Sequence, residues 1–332
     1  MLKNKPKKAK YLVGVDLGGT TIITVVTDIH GKVIASVKCL SEVKEGVKAV
    51  INRIVDTIYA TVAKAKLQID EVLTIGIGAP GPLSTKTGII IDAPNLDGWV
   101  NVPLRDLVKK AFNQKIPVFL ENDANAAAYG EFWIGTGKNV STLIILTLGT
   151  GIGGGIIIDK KLYRGPDDTA GELGHISVFP NGPVCNCGNN GCLEAIASAT
   201  GMVNRAVDAL RLGRRSLIRD LAEHDLNRVT AKMIYQAVLK GDKLAKDIMQ
   251  ETGRYIGIAA ASLVNIFNPE MIVFSGGMIN AGDYLLDPIR DEVKKRAFPQ
   301  PAKRVKILPA KLGENAGAIG AAGIAYCELK QD

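Results

Sequence analysis

Between Glu172 and Glu194 the chain reads ELGHISVFPNGPVCNCGNNGCLE, a stretch that holds three of its five cysteines and one of its three histidines. Cys185, Cys187 and Cys192 with His175 form a Cys3His set, and three soft thiolates with one imidazole suit tetrahedral Zn2+. Such a set leaves no coordination position open, so the expected zinc is structural rather than catalytic. A reducing setting makes disulfides the poorer explanation. Cys39 and Cys327 lie far away in sequence and read as small buried apolar residues.

Two further stretches can receive phosphate. In Asp16-Leu17-Gly18-Gly19-Thr20-Thr21 the glycines let backbone N–H groups approach an anion, the threonines add hydroxyls, and Asp16 can hold hydrated Mg2+. A tight hairpin that merely needs glycine is the competing explanation. The arrangement recurs at Thr147-Leu148-Gly149-Thr150-Gly151, which runs on through Ile152, Gly153, Gly154 and Gly155. In both places a strand, a glycine-threonine turn, a strand, a polar turn and a strand follow one another, and this points to a duplicated lobe. Neither turn ends in Gly-Lys-Ser/Thr, and no strand–GxGxxG–helix unit occurs, so a P-loop and a dinucleotide fold are excluded.

Glu121-Asn122-Asp123 follows the apolar run Val118 to Leu120 and precedes the alanine-rich segment Ala124 to Trp133. Polar groups between a strand and a helix are where open α/β folds place ligands. An N-cap role for Asp123 is the other reading. Ser275-Gly276-Gly277-Met278, after the apolar run Met271 to Phe274, offers a side-chain-poor surface for a base or ribose, although any strand-to-helix turn can call for glycine.

The elements that must position these residues are legible as an alternating pattern. Strands are expected at Tyr11 to Asp16, Ile22 to Thr27 and Lys32 to Val37, and again at Thr142 to Thr147 and Ile156 to Ile158. Glu45 to Ala65 carries Val47, Val50, Ile51, Ile54, Val55, Ile58 and Val62 at helical spacing. Val72 to Ala79 reads as a buried strand ending in Pro80-Gly81-Pro82, and Asp92-Ala93-Pro94-Asn95 lies in a loop before a helix near Pro103. Later helices are expected at Leu193 to Leu210, Ser216 to Glu223, Thr230 to Leu239, Asp242 to Asn265, Tyr284 to Arg296 and Ala316 to Glu328, with a strand at Val305 to Leu308.

Composition bounds the function. With 332 residues, 47% of them apolar, the chain can bury two lobes of ordinary size. No apolar run is long enough to span a membrane and no signal segment leads the chain, so a cytoplasmic protein is expected. The net charge is +8, but Lys3, Lys5, Lys7, Lys8 and Lys10 supply five of it in what reads as a disordered basic tail over residues 1–10. The rest has no basic stripe, which argues against nucleic acid.

Taken together, the Asp16 turn, Glu121-Asn122-Asp123, Leu148-Gly149-Thr150-Gly151, Glu172-Leu173-Gly174-His175 and Cys185-Asn186-Cys187-Gly188-Asn189-Asn190-Gly191-Cys192-Leu193-Glu194 resemble the ROK family (repressors, open reading frames, sugar kinases). The five motifs occur in the family's order, and the ungapped cysteine loop is most similar to that of its bacterial ATP-dependent glucokinases.

That resemblance implies an α/β protein of the actin-like ATPase (RNase H-like) fold, two lobes around a central cleft. It implies a first lobe of residues 11–121 and 316–332, and a second of 122–315 with a zinc loop at 175–192 and a helical insertion at about 200–250. It also implies transfer of the γ-phosphoryl group of ATP to the 6-hydroxyl of glucose, with Asp123 as general base. Gly81, Asn95, Asn122, Glu172, His175 and Glu194 would hold the sugar. Asp16, Gly18, Gly19, Thr20, Thr21, Thr147, Gly149, Thr150, Gly151, Gly154, Gly276 and Gly277 would hold the nucleotide with Mg2+. Many relatives have Lys or Asn where this chain has Thr21, a departure that bears on the side-chain contact at that position and not on the backbone part of the phosphate loop.

His175 would serve twice, one ring nitrogen on zinc and the other on a sugar hydroxyl. The alternatives are a kinase for mannose, N-acetylglucosamine or N-acetylmannosamine, and a non-catalytic sugar-sensing member of the family. A repressor needs a DNA-reading domain, for which the fifteen residues before Asp16 have no room. The resemblance suggests a homodimer or homotetramer and small-molecule substrates, with neither nucleic acid nor membrane as partner.

Overall fold

The computed structural model describes residues 9–93 and 96–331. Asn95, expected at the sugar, and most of the basic tail therefore lie outside the described residues. The strands are β1 (Tyr11–Leu17), β2 (Thr21–Asp28), β3 (Val33–Leu40), β4 (Val72–Ala79), β5 (Leu83–Ser84), β6 (Ile89–Asp92), β7 (Val100–Val102), β8 (Val118–Asn122), β9 (Leu143–Leu148), β10 (Ile152–Ile158), β11 (Lys161–Leu162), β12 (Met271–Ser275) and β13 (Lys306–Pro309). The helices are α1 (Val47–Lys64), α2 (Leu104–Ala111), α3 (Asp123–Trp133), α4 (Leu193–Ala197), α5 (Ala199–Arg211), α6 (Leu217–Leu221), α7 (Ala231–Leu239), α8 (Lys243–Phe267), α9 (Asp283–Arg296), α10 (Pro299–Arg304) and α11 (Ala316–Glu328).

Two five-stranded sheets have matching orders, β3-β2-β1-β4-β8 and β11-β10-β9-β12-β13, and a small sheet β5-β6-β7 accompanies the first. In the first sheet β1 runs antiparallel to β2 and parallel to β4, and β4 runs parallel to β8. The register places Asp16 beside Gly78 and Gly78 beside Glu121, so the strand ends that carry Asp16 and Asn122 come out on one edge. In the second sheet β12 is parallel to both β9 and β13, which puts Ser275 level with Thr147. The expected duplication is thus present as the same sheet built twice.

The first sheet is covered on one face by α1, whose Val50, Ile51, Ile54, Ile58 and Val62 are buried. The other face meets α11, a helix made almost wholly of Gly, Ala and Ile. Its composition is a packing requirement: a Cβ on Gly14 of β1 would collide with the Ala318 carbonyl, and one on Gly320 with the Ala126 carbonyl of α3. Sheet, α11 and α3 therefore approach at backbone distance, and bulk on any of them would displace the strand end and the helix start that carry the polar residues.

The chain divides into two compact units, residues 1–139, 155–171 and 311–332 in one, and 140–154 and 172–310 in the other. This differs from a boundary at residue 121, because α3 packs on α11 and so stays with the first sheet. Leu193 to Leu210 is not one helix. Ser198 leaves helical geometry at ψ 170° and its Oγ accepts the Gly201 N–H at 3.1 Å, ending α4 and capping α5. Cys39 and Cys327 are half-buried rather than core residues, and the Cys327 Sγ lies 2.9 Å from the Tyr129 hydroxyl.

Candidate active site and zinc centre

In the first unit β1 delivers Asp16 and breaks into a turn in which the Gly18 N–H donates to the Thr21 carbonyl at 2.9 Å. Gly18 does not adopt a left-handed φ, and a Cβ there would lie 3.3 Å from that carbonyl oxygen. That contact is tight, so the turn's own geometry favours glycine at Gly18 and both readings of the turn stand. Gly18, Gly19 and Thr21 are half-buried and Thr20 is exposed.

Asp16 sits against the first turn of α11, where a Cβ on Gly317 would come within 2.5 Å of its carboxylate. Burial first, and the charge of Asp123 second, push its pKa from 3.8 up to about 7. Asp16 thus feels the charge of Asp123, and carboxylate oxygens are donors of the kind that suit Mg2+.

Asn122 ends β8 and caps α3, its Oδ1 accepting from the N–H groups of Ala124 and Asn125 at 3.0 and 3.1 Å. The N-cap role expected for Asp123 therefore falls to its neighbour. The cap is Asn122, and Asp123 is the first residue of the helix, with its Oδ1 taking the Ala124 N–H at 2.7 Å. A Cβ on Gly81 would lie 3.5 Å from Asn122 Nδ2, so Gly81 and Asn122 adjoin.

Behind this turn the Glu121 carboxylate is buried and accepts from the Asn122 N–H (2.9 Å), from Asn125 Nδ2 (3.1 Å) and from Arg164 Nε (2.6 Å). Arg164 went unnoticed in the sequence because a single arginine in a polar loop carries no local signal; Glu121 was visible only as the neighbour of Asn122.

In the second unit the loop after β9 is shorter than expected, because β10 begins at Ile152 and Gly154 is a buried strand residue. The Gly149 N–H donates to the Gly151 carbonyl at 3.0 Å, and the Thr147 hydroxyl accepts from the Gly153 N–H at 3.1 Å. The exposed Thr150 lends its carbonyl to the Thr200 hydroxyl at 2.9 Å. Glu194 stands directly against the loop, its Oε2 accepting the Ile152 N–H at 2.8 Å, and a Cβ on Gly151 would strike that carboxylate. Gly276 has φ 90° and Gly277 has open space where a side chain would be, so the exposed end of β12 is free of side chains.

The zinc ligands converge. One donor atom each from His175, Cys185, Cys187 and Cys192 lies within 4.8 Å of all the others. Cys185 Sγ is 3.6 Å from His175 Nδ1, and Cys187 Sγ is 3.7 Å from Cys192 Sγ. A tetrahedral site with Zn–S near about 2.3 Å and Zn–N near about 2.1 Å has S···S edges of about 3.8 Å and S···N edges of about 3.6 Å. The set fits structural zinc. Burial first, then hydrogen bonds with the Cys187 and Cys185 thiols, push Cys192 up to about 12, so without a cation it keeps its proton. His175 Nε2 points the other way, 3.9 Å from the exposed Glu172 carboxylate.

Comparison with known proteins gives these features a context. The family model described as "ROK family" matches residues 12–327. The chain belongs to the ROK family. A glucokinase from Thermotoga maritima is 39% identical over 94% of this chain and 96% of its own length. A ROK glucokinase from Streptomyces griseus, solved in complex with glucose and AMPPNP, superposes with a TM-score of 0.82 at 34% identity, covering 96% of this chain and 99% of that one. A xylose repressor from Caldicellulosiruptor bescii is 35% identical over 97% of this chain and 80% of its own length. The fold is accordingly the two-lobed actin-like ATPase fold of ROK sugar kinases.

Proposed function

We infer that the chain is an ATP-dependent glucokinase that transfers the γ-phosphoryl group to the 6-hydroxyl of glucose, giving glucose 6-phosphate and ADP. The observation that carries this reading is in the first unit: Asp123 at the start of α3, where Asn122 is the N-cap, close enough for its charge to act on Asp16 near the end of β1. Similarity to the Thermotoga maritima and Streptomyces griseus glucokinases supports the same substrate pair.

Phosphoryl transfer asks little covalent help from a protein; it needs an in-line nucleophile, neutralised phosphate charge and a proton acceptor. Asp123 is assigned the acceptor role, taking the proton of the attacking hydroxyl as its oxygen bonds to phosphorus and the ADP oxygen leaves. On the family resemblance, Gly81, Asn122, Glu172, His175 and Glu194 are assigned to the remaining hydroxyls. The turn at Gly18, Gly19, Thr20 and Thr21 and the loop at Thr147, Gly149, Thr150 and Gly151 supply N–H and hydroxyl donors to phosphate. Gly276 and Gly277 leave room for the nucleoside.

Asp16 would hold hydrated Mg2+, which when bound neutralises phosphate charge. His175 Nδ1 and the three thiolates would hold zinc, which fixes the His175 tautomer so that Nε2 faces outward as a hydrogen-bond partner for sugar. Glu172 beside it favours Nε2 as donor.

A panel of glucose, mannose, N-acetylglucosamine, N-acetylmannosamine and xylose crossed with ATP, ADP and polyphosphate, read as sugar phosphate formed, tests this. Glucose with ATP should give the highest kcat/KM. Sugar binding without turnover for any pair would overturn it in favour of a sensor. We further propose a cytoplasmic homodimer or homotetramer, testable by light scattering of the purified protein; among the described residues no helix is long and apolar enough to cross a membrane.

A further inference from the structure

We propose that Arg164 is a positioning residue for the base-bearing turn, acting through Glu121 on Asp123. The proposal rests on the reading of Asp123 as general base.

The geometry is a relay. Glu121 has 3% of its side chain exposed, a burial that carboxylates tolerate only when fully partnered. Its Oε1 is shared between the Asn122 N–H and the Asn125 side chain, the residues on either side of Asp123 and Ala124. Whatever fixes that oxygen fixes the start of α3. What fixes it is the other oxygen, held at 2.6 Å by Arg164 Nε.

Arg164 is itself anchored, its Nη2 donating to Glu328 at the end of α11 at 2.8 Å. A planar guanidinium makes both bonds at once and stays charged, which an ammonium cannot match in geometry. Burial pushes the Glu121 carboxyl above its usual range, and the charge and hydrogen bond of Arg164 offset part of that rise.

The same segment reaches a second place near the turn. Asp168, four residues on, accepts from the Thr85 N–H at 2.8 Å and from the Thr85 hydroxyl at 3.0 Å. Thr85 follows β5, which begins directly after Gly81-Pro82. Residues 164–168 thus tie the Gly81 side and the Asp123 side of one site to a common strap, with α11 behind it. The bonds Arg164 makes are to Glu121 and Glu328, so its assigned contribution is geometry rather than contact with substrate.

The test is a cycle of Arg164→Met and Asp123→Asn in the full chain, with Arg164→Lys as the conservative variant. Misplacing a reacting group by about 1 Å costs on the order of 100-fold in rate. Arg164→Met should lower kcat by about 10- to 100-fold while the KM for glucose stays within about threefold, and Arg164→Lys should recover part of the loss.

In the Asp123→Asn background, Arg164→Met should cost nothing further, since a relay to a base already removed has nothing left to position. Full additivity of the two losses would overturn the proposal, as would a kcat for Arg164→Met within twofold of the parent. If Arg164→Met does not fold, Arg164→Lys carries the same comparison. Should Asp123→Asn itself keep more than half the parental kcat, the base reading fails and this proposal with it. A dead Asp123→Asn with an intact Arg164→Met removes the relay alone.

Discussion

His175 offers Nδ1 to Cys185 Sγ at 3.6 Å and leaves Nε2 outside the cluster, so the ring joins metal and solvent faces of one loop without rotating. Zinc there would lock the ring orientation and its tautomer.

The first prediction follows from that lock. Protein purified without added metal should carry about one equivalent of zinc by elemental analysis. Cys187→Ser removes an exposed ligand with little change in packing, so it should lower zinc content, lower Tm and raise the KM for glucose together. A folded, active enzyme free of zinc would end the structural assignment.

Glu194 gives the second. Its carboxylate holds the Ile152 N–H at the edge of the glycine loop, and Cys185 Sγ lies 4.0 Å from its other oxygen. Gly151→Ala would drive a methyl into that carboxylate and break the bond. Hydrogen bonds to charged groups are worth about 1.5–3 kcal/mol, so the KM for ATP should rise about tenfold or more. An unchanged KM for both substrates would show that the loop does not depend on Glu194.

Legibility in the sequence followed the range of the signals. Short-range spacing sufficed for α1, for the paired glycine turns and for the Cys3His set, because the residues that must cooperate lie close along the chain or recur with a period. The role of α11 was not legible. Its glycines look like weak helix formers until β1 and α3 are seen to press on it from about 190 to 300 residues away. Asn122 and Asp123 were both visible, but only the observed cap geometry assigns the cap to Asn122. The Glu121–Arg164–Glu328 chain joins three distant segments by charge alone, and neither period nor motif marks such a chain.

The third prediction concerns pH. Asp16 has a folded pKa of about 7, raised above its unfolded value, so the folded state holds an extra proton between pH 3.8 and about 7. Stability from this group is fully present below pH 3.8 and is lost as pH rises through about 7. In metal-free protein, Asp16→Asn should therefore be more stable than the parent at pH 8 by about 2–4 kcal/mol, and by much less at pH 5. Mg2+ should narrow the gap at pH 8 by supplying the missing counter-charge. Denaturant unfolding at the two pH values reads this directly, and a gap independent of pH would contradict the raised pKa.

The last prediction separates chemistry from folding at the start of α3. Asn122 provides the cap, so Asn122→Ala should cost about 1 kcal/mol of stability, chiefly through the Asn125 N–H, since the Ala124 N–H keeps Asp123 Oδ1. Asp123 is the first helical residue, where its charge contributes only about 0.3–1 kcal/mol through the helix dipole. Asp123→Asn keeps the shape and an acceptor for the Ala124 N–H, so stability should stay within about 1 kcal/mol of the parent. It cannot accept a proton, and the loss should fall on kcat by about 10²- to 10⁴-fold. Glucose affinity by calorimetry should hold within about tenfold, because the other hydroxyl contacts do not change. The neutral side chain also removes one of the two causes that raise Asp16, so the pKa of Asp16 should move down in this variant, visible by NMR titration. A variant that keeps its fold and more than half the parental kcat would take Asp123 out of the reaction.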